Sequence, residues 1–373
     1  MIGVLGGTGY TGGEILRLLA KKDVPVTLFG RSRSSLEALK QTYTNIQHIK
    51  ELDIRNLSFP APCFNELSVL INAAGPYTAQ CEPVIQACIH ARTHYVDITA
   101  EQHFQETTLE KYQREAAENK VVCMTGHGCD FAFAYCAMAK LRQAQPTLKH
   151  FESFYHLENF KVSRGTAKSA LNMLAHDIRG FLAPKFVTIE PHLRSFPPNS
   201  DLLGVAFPGG DAIVTPMNFA NVETYNAYLL LSPKEARNVL SGQQSSRLKG
   251  LVTSSTSRWL LEKLIKIGLP NPSTKTRQSA TWKATVAGKI HPESQTSHYC
   301  SIAGSDVYGV TAAAAITVAL KLWTSPPAVG GFQTTHRVIA IDEFLSALSL
   351  YNLKVELGTY QRKATEIETT KSI

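Results

Sequence analysis

Short runs of consecutive apolar residues, bounded by glycine and polar clusters, alternate along the first third of the chain with stretches whose apolar residues recur every three or four positions. Ile2 to Leu5 is the first run, and Ile15, Leu18 and Leu19 set a helical stripe between Glu14 and Lys21. Further runs are Val26 to Phe29 and Val69 to Ala74, the latter followed by a helical stretch from Glu82 to Ala91. Tyr95 to Ile98 and Val121 to Met124 come next, with a helix predicted between them from Glu101 to Asn119. Strands this apolar are buried on both faces, which is the condition of a parallel sheet covered by helices. The pattern therefore predicts an α/β fold, with an N-terminal doubly wound parallel sheet over residues 1–145.

The rhythm changes from about Phe151. An extended stretch runs to Phe160, Ser163-Arg164-Gly165-Thr166 caps a helix through Ala167, Leu171 and Leu174, and proline-rich connections continue to Pro216. Ala280 to Ile290 and His298 to Ile302 read as paired strands ahead of a helix from Val310 to Trp323. A second, α+β mixed-sheet domain is predicted over 146–330. Residues 331–373, with an extended piece and helix from Gly330-Gly331 through Leu345, are expected to pack back on the body, their last residues disordered.

The turn after the first strand, Gly6-Gly7-Thr8-Gly9-Tyr10-Thr11-Gly12, sits between strand and helix, where a dinucleotide-binding loop belongs. Gly6 permits the tight turn, Gly9 lets backbone approach a pyrophosphate, and Gly12 lets helix pack on strand. The helix N-terminus offers free N–H groups to the phosphates. An NAD-binding unit carries an acid at the end of its second strand; Gly30 is followed instead by Arg31, Ser32 and Arg33, which suit a 2′-phosphate. NADP(H) is the expected cofactor, with Ala73, Ala74, Gly75 and Pro76 completing its site.

Polar clusters fall at the ends of the later strands: Tyr77, then Asp97 with Thr99 and Glu101, then His127 with Asp130. Ligands of open α/β sheets bind outside those ends, so the clusters are expected to converge on one crevice. Tyr77, His127 and Asp130 are the candidate proton donors; Asp97 and Glu101 are read as structural. Twelve histidines show no metal-ligand spacing, and no metal is expected.

Composition adds less. Seven cysteines without a paired spacing read as reduced thiols, and with no leader ahead of Ile2 the expected location is cytoplasmic. The apolar run Val307 to Trp323 suits a buried helix rather than a membrane span. The net charge of +8 is scattered, with no basic run that points to nucleic acid. Ser257 to Ile267 is amphipathic, with Leu260, Leu264 and Ile267 on one face and Arg258, Lys263 and Lys266 towards the other. It is either a plain surface helix or a docking element for an acidic acyl carrier or an anionic membrane surface.

With those residues in hand, the chain resembles the saccharopine dehydrogenase-like oxidoreductases, and within them the trans-acting enoyl reductase branch that serves polyketide synthases. The carrying segments are the glycine loop, Gly30 to Arg33, Asn72 to Tyr77, Ala87-Cys88, Thr93 to Asp97, Pro208-Gly209-Gly210-Asp211 and Gly304 to Ala312. Cys81, Arg92 and Ala100 stand where that family usually has glycine. The resemblance implies a Rossmann domain, a mixed α/β substrate domain, a nicotinamide cofactor and reduction of a C=C or C=N bond. A C=C bond of an enoyl substrate, carrier-bound or lipid, is the favoured reading. Imine reduction, with Arg164 holding a carboxylate, and a cofactor-binding scaffold without turnover stay open, as does a homodimer.

Overall fold

In the computed structural model, residues 1–57, 61–196 and 201–361 are described. The expected disorder of the last residues lies outside them.

The apolar runs form the strands that their composition predicts. The chain begins β1 (Ile2–Leu5), α1 (Tyr10–Lys21), β2 (Val26–Gly30), α2 (Arg33–Thr42) and β3 (Ile46–Glu51). It continues through β4 (Val69–Asn72), α3 (Tyr77–Gln80), α4 (Glu82–His90), β5 (His94–Asp97), α5 (Gln102–Glu118), β6 (Val122–Met124) and α6 (Phe131–Ala144). The six strands lie in the order β6-β5-β4-β1-β2-β3, all parallel. The order reverses between β1 and β4, the switch point at which such sheets open a ligand crevice.

The second sheet is mixed. It contains β7 (His150–Glu158), followed by α7 (Arg164–Ala175), and then the short strands β8 (Arg179–Leu182), β9 (Lys185–Thr188), β10 (Leu193–Ser195) and β11 (Leu203–Ala206). After α8 (Asp211–Asn218) come β12 (Thr224–Leu231), α9 (Pro233–Gln243), α10 (Ser246–Thr253), α11 (Ser255–Gly268), α12 (Thr274–Ser279), β13 (Thr281–Lys289) and β14 (Thr296–Ser305). Its order is β10-β11-β12-β7-β13-β14 and then a last strand near the C-terminus; only β12 and β7 run parallel, and β8 pairs beside β12. The stretch read as proline-rich connection is thus largely short strands and a helix, whose half-exposed residues leave no clean alternation.

The chain returns to the first sheet after β14. Helix α13 (Val307–Thr324), placed by the sequence reading in the second domain, packs on α1, β4 and β5, and β15 (Gly331–Phe332) adds a seventh parallel strand beside β6. Helix α13 is apolar and long enough by composition to cross a membrane, but most of it is buried inside the molecule, with Ala312, Ala314, Ala315 and Ala319 letting it approach closely. Helices α14 (Thr335–Val338) and α15 (Ile341–Ala347) follow, and β16 (Lys354–Gln361) leaves again to edge the second sheet against β14. Helix α6 is apolar nearly all round because it is buried among β13, β14, α8, α14 and α15.

Arg277 at the end of α12 bridges the halves. It pairs with Glu14 of α1 at 3.0 Å and with Asp306, the N-cap of α13, at 2.9 Å, all three nearly buried. Burial pushes the Glu14 carboxyl up, but the guanidinium groups of Arg17 and Arg277 outweigh it and hold the pKa at about 2.

Candidate functional site

The glycine loop fits a dinucleotide. Gly6 takes φ +85° with its α-carbon face against the Ala73–Ala74 peptide, where a Cβ would lie 2.7 Å from backbone atoms. A Cβ on Gly12 would collide with the Gly6 carbonyl oxygen, so α1 can pack on the turn only through glycine. Thr8 and Gly9 stand exposed at the crest, and no side chain caps the first N–H groups of α1. Those N–H groups are free for a phosphate. At the end of β2, Arg31, Ser32 and Arg33 are exposed; Ser32 Oγ accepts the Ser35 N–H as the cap of α2, and Arg33 pairs with Glu37 at 2.8 Å. Arg31 is left facing the cleft.

That cleft opens between the two halves with a volume of about 410 Å³. One wall is Arg31 with the loop Gly75, Pro76 and Thr78; the other is Lys168 of α7 with Arg258 and Glu262 of α11. Three cations face one carboxylate, a lining suited to an anionic, phosphate-bearing ligand.

The wall is held by Glu101. Its buried carboxyl accepts hydrogen bonds from Tyr77 N–H (3.0 Å) and Ser169 Oγ (2.8 Å) at Oε1, and from Thr78 N–H (2.9 Å) and Asn172 Nδ2 (2.7 Å) at Oε2. The loop after β4 is thereby joined to α7 of the other half. Asp97 is equally internal: Oδ1 accepts the N–H groups of Thr99 (3.0 Å) and Gly126 (2.7 Å), and burial raises its pKa to about 7. The polar clusters at the strand ends do converge, but largely on one another.

The three proton-donor candidates separate. The Tyr77 hydroxyl donates back to the Asn72 carbonyl at 3.1 Å, its ring packs against Phe104, and burial pushes its pKa well above the ordinary phenol value. Tyr77 is a structural residue, because the loop that carries it turns its ring inward rather than into the crevice. Tyr77→Phe is accordingly expected to lower stability by about 1 kcal/mol, the worth of one hydrogen bond, and to leave turnover within about threefold, as urea unfolding and steady-state rates would register. His127 is a correction of the same kind. It is fully buried, edge-on to Phe344 at 5.7 Å, and burial lowers its pKa to about 3, so it reaches no ligand. Asp130 alone stays part-exposed, and its side chain caps no helix N–H. Burial, then the charge of Asp211, raises its pKa to about 6. It does not border the 410 Å³ cleft. The Cys129 N–H donates to Thr311 Oγ1 (2.9 Å), which seats Asp130 against the first turns of α13 near Tyr308, whose ring meets Tyr10 of the glycine loop edge-on at 4.9 Å.

Arg164 is engaged elsewhere: its Nε donates to the Leu269 carbonyl at 2.8 Å. Asp211 gave no chemical signal from sequence beyond its place in Pro208-Gly209-Gly210-Asp211. It is fully buried, accepts the Tyr225 hydroxyl at 2.8 Å, and lies among Ser153 and Tyr155.

Residues 2–124 match the family described as Saccharopine dehydrogenase NADP binding domain. Outside them the likeness thins. A bovine saccharopine dehydrogenase-like oxidoreductase is 32% identical over 190 residues, covering 45% of this chain and 44% of the relative. A trans-acting enoyl reductase from Mycobacterium ulcerans is 28% identical over 130 residues, 34% of this chain and 31% of that one. The chain thus aligns with less than half the length of these relatives. The homospermidine synthase of Legionella pneumophila, solved with NAD, superposes with a TM-score of 0.63 at 10% identity, covering 100% of this chain and 93% of the other. At that identity it shows the fold: a Rossmann sheet followed by a mixed sheet. The matched residues 2–124 include the glycine loop, Arg31 and the Gly75–Thr78 wall, while the facing wall comes from α7 and α11.

Proposed function

We propose that this chain is a cytoplasmic NADPH-dependent reductase of a C=C bond in an enoyl or other unsaturated substrate, carried on an acyl carrier or belonging to a lipid. The observation that carries the reading is the open glycine cradle after β1, with Arg31 at the end of the neighbouring strand lining a cleft whose cations outnumber its acids. NADPH supplies a hydride when bound. The loop from Gly6 to Gly12 binds its pyrophosphate through backbone N–H groups, Arg31 and Ser32 take the 2′-phosphate, and Glu101 keeps the Gly75–Thr78 wall in place. Asp130, part-exposed outside that cleft and near Tyr308, whose ring meets Tyr10 of the glycine loop, is the carboxyl left to hold the proton that completes reduction. The engagement of Arg164 with the Leu269 carbonyl and the likeness to an enoyl reductase both support the C=C reading over an amino-acid imine.

The test is a pair of titrations with NADPH and NADH followed by NADPH oxidation on a panel of enoyl and imine substrates. Arg31→Glu is expected to weaken NADPH by about 10- to 150-fold, the worth of a charge-assisted contact, and to leave NADH nearly unchanged. Equal loss of both cofactors would refute the 2′-phosphate role, and oxidation with imines alone would refute the enoyl reading.

A further inference from the structure

Helix α11 is apolar on two sides. Towards the body it turns Leu261 and Ile265, half-buried, with Arg258 and Glu262, which pair with each other at 3.2 Å and border the cleft, and none of its residues is fully buried. Its second apolar stripe faces outward: Trp259 is 62%, Leu260 51%, Leu264 58% and Ile267 72% exposed. At 100° per residue these four fall within one arc of the helix, and Lys263 and Lys266 lie on or beside the same arc. The Lys263 ammonium sits 4.9 Å above the Trp259 ring. Helix α10, packed beside α11, exposes Leu251 at 52% together with Arg247 and Lys249. From Ser246 to Gly268 the chain carries five cations, Arg247, Lys249, Arg258, Lys263 and Lys266, against the single carboxylate of Glu262.

An ordinary surface helix buries its apolar stripe, so an outward stripe of this size marks a contact surface. Its composition selects the occupant. A tryptophan with aliphatic residues on the exposed arc, flanked by lysines, is the arrangement of a helix that lies in a lipid interface, apolar face among the acyl chains and cations at the headgroups.

We propose that α10 and α11 dock this protein on an anionic lipid surface, with Trp259, Leu260, Leu264 and Ile267 entering the interface. The same helix lines the cleft, so docking holds one wall of the cleft close to the membrane plane.

The purified full chain is sedimented with vesicles of phosphatidylcholine alone and of phosphatidylcholine with about a third phosphatidylglycerol, the latter supplying the negative surface potential. Retention by the anionic vesicles is expected, with a blue shift of tryptophan emission that Trp259→Phe removes. Lys263→Gln and Lys266→Gln should each weaken binding about fivefold, and Leu264→Ser with Ile267→Ser at least about tenfold. NADPH binding reports that each variant is folded, since none of these residues borders the cleft. Absence of retention by anionic vesicles overturns the proposal, as does retention indifferent to the leucine and isoleucine changes. A dimer that the same changes dissociate, or an acidic carrier protein that binds this face while vesicles do not, overturns it too.

Discussion

Replacing Glu101 by alanine is expected to destabilise the protein by about 3–5 kcal/mol, the scale for removing one partner of a buried, hydrogen-bonded charge. Four donors lose their acceptor at once: two backbone N–H groups of the Gly75–Thr78 wall, the Ser169 hydroxyl and the Asn172 amide. Thr78 is part-exposed at the cleft and its N–H can turn to water; Tyr77, Ser169 and Asn172 are buried and cannot. Glu101→Gln keeps the shape but points an amide donor at two other donors, so it rescues only part of the loss. Urea unfolding measures the stability, and a cycle with Asn172→Ala isolates the tie between the halves. A loss under about 1 kcal/mol, or no coupling to Asn172, would remove Glu101 from its place as the link between the cofactor wall and α7.

Asp130→Asn is expected to lower kcat by about 10²- to 10⁴-fold with NADPH affinity unchanged, the range for losing a positioned acid. The wild-type rate should hold below about pH 6 and fall tenfold per unit above it, as the acid form is lost, while the residual rate of the variant stays flat. Stability gives a second readout, in which the variant gains where it loses rate. A carboxyl whose pKa rises on folding from 3.8 to about 6 binds its proton more tightly in the native state. Its contribution is present below pH 3.8 and is lost as pH climbs through about 6. The asparagine variant should therefore gain on the wild type between pH 4 and 7. A kcat within about threefold of wild type would exclude Asp130 as the donor, even if the stability profile shifts as described.

The first sheet is legible in the sequence wherever strands are buried on both faces, because continuous apolar runs such as Val69 to Ile71 have no other use. Strand β3 escapes that reading: Ile46 alone is buried in Ile46–Glu51, at the edge of the sheet. Strands β8 to β11 are too short and too exposed to leave a pattern, and β15 is two residues long. The glycine loop is legible because its function rests on backbone that only glycine permits. The acid-base residues are not, since side-chain direction decides them. Tyr77 and His127 occupy the right strand ends and turn inward, while Glu101 draws its partners from positions up to 71 residues away. Periodicity likewise gives α11 two faces without saying which one meets the body.

The path of α13 and β15 bears on how this protein is made. The helix that covers one face of the first sheet, and the strand that finishes its edge, leave the ribosome only after β14 of the second sheet. Until then β4 and β5 present apolar surface with no cover, and the nucleotide half cannot mature as an independent unit ahead of the rest. The first sheet gains its last strand only with Phe332, and the second its edge only with β16.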